Sequence, residues 1–283
     1  MALPTYATPL ERVWHYSYLT ICGLIFFFLI APIIIIIPLS FNSVPFFTFT
    51  QEMLTLDPAG YSLKWYQDFF TNLNWQGAVK NSFIIAVIAT IISTTLGTIA
   101  ALGLSRPEMP YKSAIMGILI SPMIVPLIIS AAGMYFFYTK IGLASTHFGV
   151  ILAHAALGTP FVVITVTATL VGFDHSLTRA AAMLGASPAR AFFKVIVPLI
   201  LPGVISGALF AFITSFDEVV VVLFVGSYEQ RTIPWQMFSG IREQISPTIL
   251  AVATLLVIFS IMLLTSVELL RRRGERLRGI QTT

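Results

Sequence analysis

The chain has 283 residues, of which 57% are hydrophobic and only 10% are charged, and its formal net charge at pH 7 is +4. Soluble domains carry about 25% charged residues, so this composition excludes an ordinary soluble protein and indicates an integral membrane protein. The positive charge does not indicate nucleic-acid binding. Its dense basic cluster at 271–278 follows an apolar run, where anionic lipid headgroups are the nearest partners.

Six apolar runs predict an all-α membrane protein with six transmembrane helices in a single domain over 1–283. A bilayer core about 30 Å thick needs about 20 apolar residues per helix. The runs lie at about 19–39, 83–104, 113–137, 149–171, 198–225 and 247–270. An even number of spans places both termini on the same side. Eleven of the 16 lysines and arginines lie on that side, so we expect it to be cytoplasmic.

The longest loop between spans, 41–78, is dense in aromatic residues. Aromatic rings favour the depth of the lipid headgroups, which predicts a lid that rests on the outer surface of the membrane. A docking face for an external protein is the alternative.

Small residues and prolines mark the second, third and fourth runs. Gly97 and Ala101 are four residues apart, which predicts close packing of helix backbones. Prolines remove backbone hydrogen bonds and predict kinked helices along a pathway; they are Pro122, Pro126 and Pro160. His154 precedes the last of these prolines, and it is either a buried structural histidine or a residue that lines the pathway.

A polar interruption at 174–197 predicts a helical hairpin between the fourth and fifth runs. An apolar stripe at i, i+3, i+4 and i+7 predicts its first helix, formed by Leu177, Ala180, Ala181 and Leu184. Gly185 stands where a helix end favours a left-handed backbone. Ser187 and Pro188 then signal a second helix, which carries Arg190.

The order of residues in this hairpin resembles the EAA loop of permease subunits of ATP-binding-cassette (ABC) importers. That loop has the pattern Glu-Ala-Ala, three residues, Gly, nine residues and Ile-x-Leu-Pro. This chain departs from it at Arg179, which reverses the charge of the glutamate, and at Val195 and Val197. The resemblance implies a type I ABC importer permease fold. It also implies that the hairpin couples to an ATPase through Arg179, Ala180, Ala181, Gly185, Arg190 and Pro198.

The resemblance also implies partners. They are two ATPase subunits, a second homologous permease subunit and an external, periplasmic substrate-binding protein, assembled in the lipid of a bacterial inner membrane. The sequence has no G-x-x-x-x-G-K-[ST] phosphate loop. We therefore expect no cofactor or metal in this chain, with ATP and magnesium used by the partner ATPase.

Two adjacent carboxylates, Asp217 and Glu218, interrupt the fifth run. A charged carboxylate at mid-membrane costs about 2.5–3.5 kcal/mol, so such groups are expected to face a cavity or a cation. On a continuous helix Asp217 shares one stripe with Phe210, Thr214, Val221 and Phe224. A carboxylate framed by aromatic rings suits an organic ammonium, which predicts a substrate site at Phe210, Thr214, Asp217 and Glu218. The alternatives are an ion pair with Arg231 or Arg242 and simple placement at the membrane interface.

The Asp-Glu-Val-Val-Val run after the hairpin, together with residues 61–66, resembles permeases of the spermidine/putrescine type. The resemblance implies ATP-driven import of a polyamine, with the acidic residues near the amine. A different small organic solute, such as an amino-acid-derived or opine-like compound, remains an alternative. A secondary transporter is less well supported, because the two halves of the chain lack a convincing repeat. An enzyme is not expected, since H-E-x-x-H is absent.

Overall fold

The computed structural model describes residues 8–106, 108–171, 173–174, 176–243 and 246–277, with side chains to residue 265 except at residue 243. The basic cluster at 271–278 has no described side chains, and residue 175 of the hairpin also lies outside the described residues. The α-helices are α1 (Pro9–Leu39), α2 (Gln51–Leu54), α3 (Lys64–Thr71), α4 (Leu73–Leu104), α5 (Lys112–Ile124), α6 (Leu127–Lys140), α7 (His147–Val171), α8 (Ser176–Met183), α9 (Pro188–Ala191), α10 (Val197–Phe216), α11 (Val220–Val225), α12 (Ile233–Glu243) and α13 (Thr248–Leu277). The all-α class is confirmed.

Within the described residues, five helices are long and apolar enough to cross a membrane. They are α1, α4, α7, the run Pro188–Phe216 and the part of α13 over Thr248–Thr265. The third predicted span, 113–137, is a bent pair instead of one helix, because α5 and α6 meet at 102°. Proline disfavours the helical conformation in the residue before it. Val125, which precedes Pro126, is accordingly extended at φ −69° and ψ 134°.

The chain divides into two compact units, 1–71 with 240–283 and 72–239. In the first, α3 packs against α13, and the Thr248 hydroxyl donates to Asp68 Oδ2 at 2.8 Å. The loop after α1 folds around Asn42, whose side-chain amide donates to the carbonyl of Thr48 at 2.7 Å. Trp65 Nε1 donates to the Asn42 carbonyl at 2.6 Å. The loop predicted as a lid is thus held by its own hydrogen bonds.

The second unit, which we call the central unit, is built on α4, α7 and α10 packed against one another. Small residues permit the close approach. A Cβ added to Gly97 of α4 would lie 2.6 Å from Cβ of Val162. One added to Gly207 of α10 would lie 2.5 Å from the Thr165 hydroxyl oxygen. The close packing predicted at Gly97 is confirmed.

The short helix α11 is anchored in the central unit against α6 and α7. Val221, Val222 and Val225 are fully buried there. This anchoring fixes the chain immediately after Asp217 and Glu218.

Candidate substrate site and hairpin

The fifth predicted span is broken at its two carboxylates. Helix α10 ends at Phe216, and α11 begins only at Val220. The Glu218 carboxylate accepts a hydrogen bond of 2.9 Å from the backbone N–H of Val221. Glu218 stands one residue before the N-cap, Val219, and satisfies a free N–H group at the start of α11, where the helix dipole favours a negative charge. Glu218 is buried, with 8% of its surface exposed.

Asp217 has different surroundings from its neighbour. It is the C-cap of α10, and its side chain is exposed. No other described residue forms a hydrogen bond or ion pair with its carboxylate. Arg231, one alternative partner, places its guanidinium 3.9 Å from the centre of the Tyr228 ring instead. The alternative prediction of an ion pair between Arg231 and either carboxylate is therefore wrong. The Asp217 carboxylate is available to a ligand.

The continuous stripe predicted through Asp217 is wrong beyond that residue. Val221 and Phe224 lie on the separate helix α11, because the backbone leaves the helical path after Phe216. Phe210 and Thr214 remain on α10 ahead of Asp217. The Phe210 ring is 49% exposed and stacks on Phe161, with ring centroids 6.1 Å apart. Thr214 is half-buried, one turn before Asp217.

A buried polar pair lies beside the break. His154 is only 1% exposed, and its Nδ1 lies 2.8 Å from the hydroxyl oxygen of Ser215. Its Nε2 has no hydrogen-bond partner among the described residues. Of the two alternatives for His154, the buried position is confirmed. Its pairing with Ser215 could not be predicted from the sequence, because the two residues are 61 positions apart and meet only when α7 packs on α10.

The hairpin consists of two short helices joined by a tight corner, as the sequence predicts. Gly185 follows α8 with a φ of +81°, a left-handed conformation that glycine adopts without steric cost. The Ser187 hydroxyl accepts from the N–H of Arg190 and caps α9. Arg179, Ala180 and Arg190 are exposed and Ala181 is half-buried.

The tip of the hairpin is apolar. Met183 and Leu184 are 90% and 89% exposed. The helix that follows, Pro188–Phe216, has 29 residues and is about 43 Å long at 1.5 Å per residue. It exceeds a bilayer core of about 30 Å. One end of it can therefore project from the membrane, and the apolar tip with it is available to a partner protein.

The hairpin joins α10 through a π-helical turn at Phe192–Ile196, in which the N–H of Val197 donates to the Phe192 carbonyl. Pro198 explains the wide turn. Proline lacks an N–H, and its ring clashes with the carbonyl four residues earlier, which here is that of Lys194. Exposed Pro198 thus stands at the junction between the hairpin and the membrane helix.

Residues 93–276 match the family described as binding-protein-dependent transport system inner membrane component. This chain belongs to that family. An inner membrane component of this kind is a multi-pass membrane protein that works as part of a binding-protein-dependent transport system, and it is not an enzyme.

This inner membrane component is 32% identical over 251 residues to the spermidine/putrescine transport system permease protein PotC of Haemophilus influenzae, which covers 89% of this chain and 95% of that protein. It is 32% identical over 238 residues to the putrescine transport system permease protein PotI of Escherichia coli K12, covering 82% of each. A solved bacterial ABC transporter that imports the acidic polysaccharide alginate gives a TM-score of 0.71 over 94% of this chain and 99% of that chain, at 17% identity. The fold is therefore that of an ABC importer permease, as the EAA-like hairpin implied.

Proposed function

We propose that this chain is the permease subunit of an ATP-driven importer that moves a polyamine of the spermidine/putrescine class into the cytoplasm. The names of PotC and PotI support the substrate class. The observation that carries the proposal is the exposed Asp217 carboxylate at a break in a membrane helix, with no partner among the described residues.

Asp217 is the carboxylate that contacts the amine. Glu218 is buried and already bonded to the N–H of Val221, so its role is to stabilise the start of α11 after the break. An ammonium group gains from the Asp217 charge and from the face of an exposed aromatic ring. Phe210 supplies such a ring, and the Thr214 hydroxyl adds a hydrogen-bonding group one turn from Asp217.

The hairpin and both termini lie in the cytoplasm in this proposal. The excess of lysine and arginine on their side of the membrane supports that orientation. Two ATPase subunits bind hairpins, one on this chain and one on a second, homologous permease. ATP and magnesium are used by those ATPases, since this sequence has no phosphate loop.

Coupling passes through the hairpin. The exposed Met183 and Leu184 enter the ATPase, and Arg179, Ala180, Ala181 and Arg190 surround that contact. Gly185 sets the corner, and Pro198 sets the junction with α10. An external binding protein delivers the polyamine to the opposite face. Differential binding in two conformations is what such coupling requires.

Uptake of radiolabelled spermidine and putrescine into cells that contain the whole transporter tests the proposal. We expect Asp217→Asn to lower uptake about tenfold or more, since a hydrogen bond to a charged group contributes about 1.5–3 kcal/mol. Asp217→Glu should restore part of it. Glu229→Gln is the matched control, because Glu229 is exposed and outside the break. Equal uptake by Asp217→Asn and the control, at equal amounts of assembled complex, removes Asp217 from the substrate site.

A further inference from the structure

A cavity of about 910 Å³ lies between the hairpin and the ends of two membrane helices in the central unit. Leu102 and Arg106 line it from the end of α4, and Leu170 lines it from the end of α7. Arg179 and Phe192 line it from the hairpin. Its size is that of a small-molecule site, for which volumes of about 300–1,000 Å³ are typical. The substrate site at Asp217 shares no residue with it.

The lining divides into a charged part and an apolar part. Arg106, Glu108 and Arg179 supply the charges, and all three are exposed. Neither guanidinium has a hydrogen bond or ion pair with any residue that the structure describes. Two guanidinium groups outnumber one carboxylate, so the charged part favours a phosphate or carboxylate group, to which arginine binds with two parallel hydrogen bonds.

The apolar part runs from the span ends into the hairpin. Leu102, Leu170, Phe192 and Ile196 form it. A ligand that satisfies both parts has an anionic or zwitterionic head and a hydrocarbon segment, which is the chemistry of a phospholipid.

The depth of the cavity agrees with a lipid. Arg106 lies two residues beyond the end of α4, and Phe173 lies two residues beyond the end of α7. Both helices are long and apolar enough to cross the membrane, so their ends lie near the headgroups. Basic pockets between membrane helices at this depth bind lipid headgroups.

We propose that this cavity is a phospholipid site. Arg106 and Arg179 bind the phosphate, and the first part of an acyl chain lies along Leu102, Leu170 and Ile196. Glu108 accepts from the ammonium when the headgroup is zwitterionic. The hairpin and the ends of the spans both line the cavity. A bound lipid therefore contacts both and restrains the position of the hairpin relative to the membrane.

The cavity shares Arg179 with the surface proposed for the ATPase, but it does not include the tip of the hairpin. Met183 and Leu184, the exposed tip of the hairpin, are absent from its lining. An ATPase that grips the tip leaves the cavity to another occupant. The lipid site goes beyond the proposed function, and its test measures lipid labelling instead of transport.

The test uses the whole transporter in lipid nanodiscs that contain a phosphatidylglycerol with a photoreactive group near its headgroup, followed by peptide mass spectrometry. We expect labelling of peptides that carry Leu102 and Phe192. Arg106→Gln and Arg179→Gln should each lower it about fivefold, the contribution of one basic residue near an anionic lipid. The single variants Lys112→Gln and Lys194→Gln each remove the same charge from a residue outside the lining and should retain full labelling.

Ala182→Phe tests the cavity without changing any charge. Ala182 lines the cavity and is exposed on α8, so a phenyl ring there fills space that the lipid needs. Loss of labelling in this variant supports the site. Unchanged labelling in all three variants, Arg106→Gln, Arg179→Gln and Ala182→Phe, overturns it. The lipid site is also overturned if a photoreactive amino acid at position 182 attaches to an ATPase subunit instead of lipid. A purified complex that lacks any ATPase contradicts the proposed function alone.

Discussion

Asp217 and Glu218 are neighbours in the chain, yet the end of α10 gives them different surroundings. Glu218 turns inward and bonds to the N–H of Val221, while Asp217 stays exposed without a partner among the described residues. A single substitution at either position therefore tests a different property. A substitution at Asp217 tests the proposed contact with substrate, and one at Glu218 tests the stability of the start of α11.

Glu218→Ala should destabilise the protein. It removes the acceptor of the Val221 N–H at the start of α11, and a hydrogen bond to a charged group contributes about 1.5–3 kcal/mol. We expect a lower midpoint in thermal unfolding of the detergent-purified chain. Glu218→Asp keeps a capping oxygen and should recover most of the loss. Equal unfolding midpoints for wild type and Glu218→Ala would contradict a capping role.

At the residue level, the sequence was enough to find the carboxylates but not to separate their roles. An acidic pair before an apolar run is itself a signal for a helix start. The sequence therefore signalled the break at Asp217, but the long apolar run around it favoured the prediction of one continuous helix. The pairing of His154 with Ser215 had no signal in the sequence. It depends on the way α7 packs against α10.

Among the elements, the close contact of α4 with α7 gives the sharpest prediction. Gly97→Val places methyl groups where even a Cβ would lie 2.6 Å from Val162. Overpacking of this kind costs about 1–3 kcal/mol or more, so the amount of folded protein in the membrane should fall. Gly103→Val is the control on the same helix, since nothing lies within 4 Å of its Cβ position. Equal yields of the two variants would contradict close packing at Gly97.

The corner of the hairpin offers a second matched pair. Gly185 and Gly142 have φ angles of +81° and +75°, and neither has an atom within 4 Å of its Cβ position. An alanine at either site meets the same left-handed backbone penalty, about 1–2 kcal/mol. Only Gly185→Ala alters the hairpin, so it alone should separate ATP hydrolysis from transport.

Hydrolysis and uptake are measured together in proteoliposomes with the ATPases and the binding protein. Gly142→Ala should keep the wild-type ratio of substrate moved to ATP hydrolysed. If Gly185→Ala keeps it too, the hairpin corner is not part of the coupling.

Elements were predicted best where their ends carry local signals. Ser187, Pro188 and Gly185 fixed the hairpin because capping and left-handed glycine act within a few residues. The bend of 102° between α5 and α6 is larger than a kink, and Pro126 indicates its position but not its angle. The angle depends on what each helix packs against.

At the scale of the whole molecule, the orientation in the membrane is the prediction to measure. In a Cys22→Ser background the chain has no other cysteine. A single cysteine at Leu184 or at Tyr228, which are 89% and 58% exposed, then reports its side of the membrane. An impermeant maleimide added to intact cells should label Tyr228→Cys and leave Leu184→Cys unlabelled until the membrane is opened. The reverse pattern would place the hairpin outside.

The capped break also has a consequence for variation among sequences. A side chain whose oxygen reaches the N–H of Val221 can make the same bond, so position 218 should tolerate glutamine and aspartate. Position 217 should accept only acidic residues, because its carboxylate is proposed to bind a cation. In a library that samples every amino acid at both positions, growth that depends on imported polyamine should retain several residues at 218 and only acids at 217.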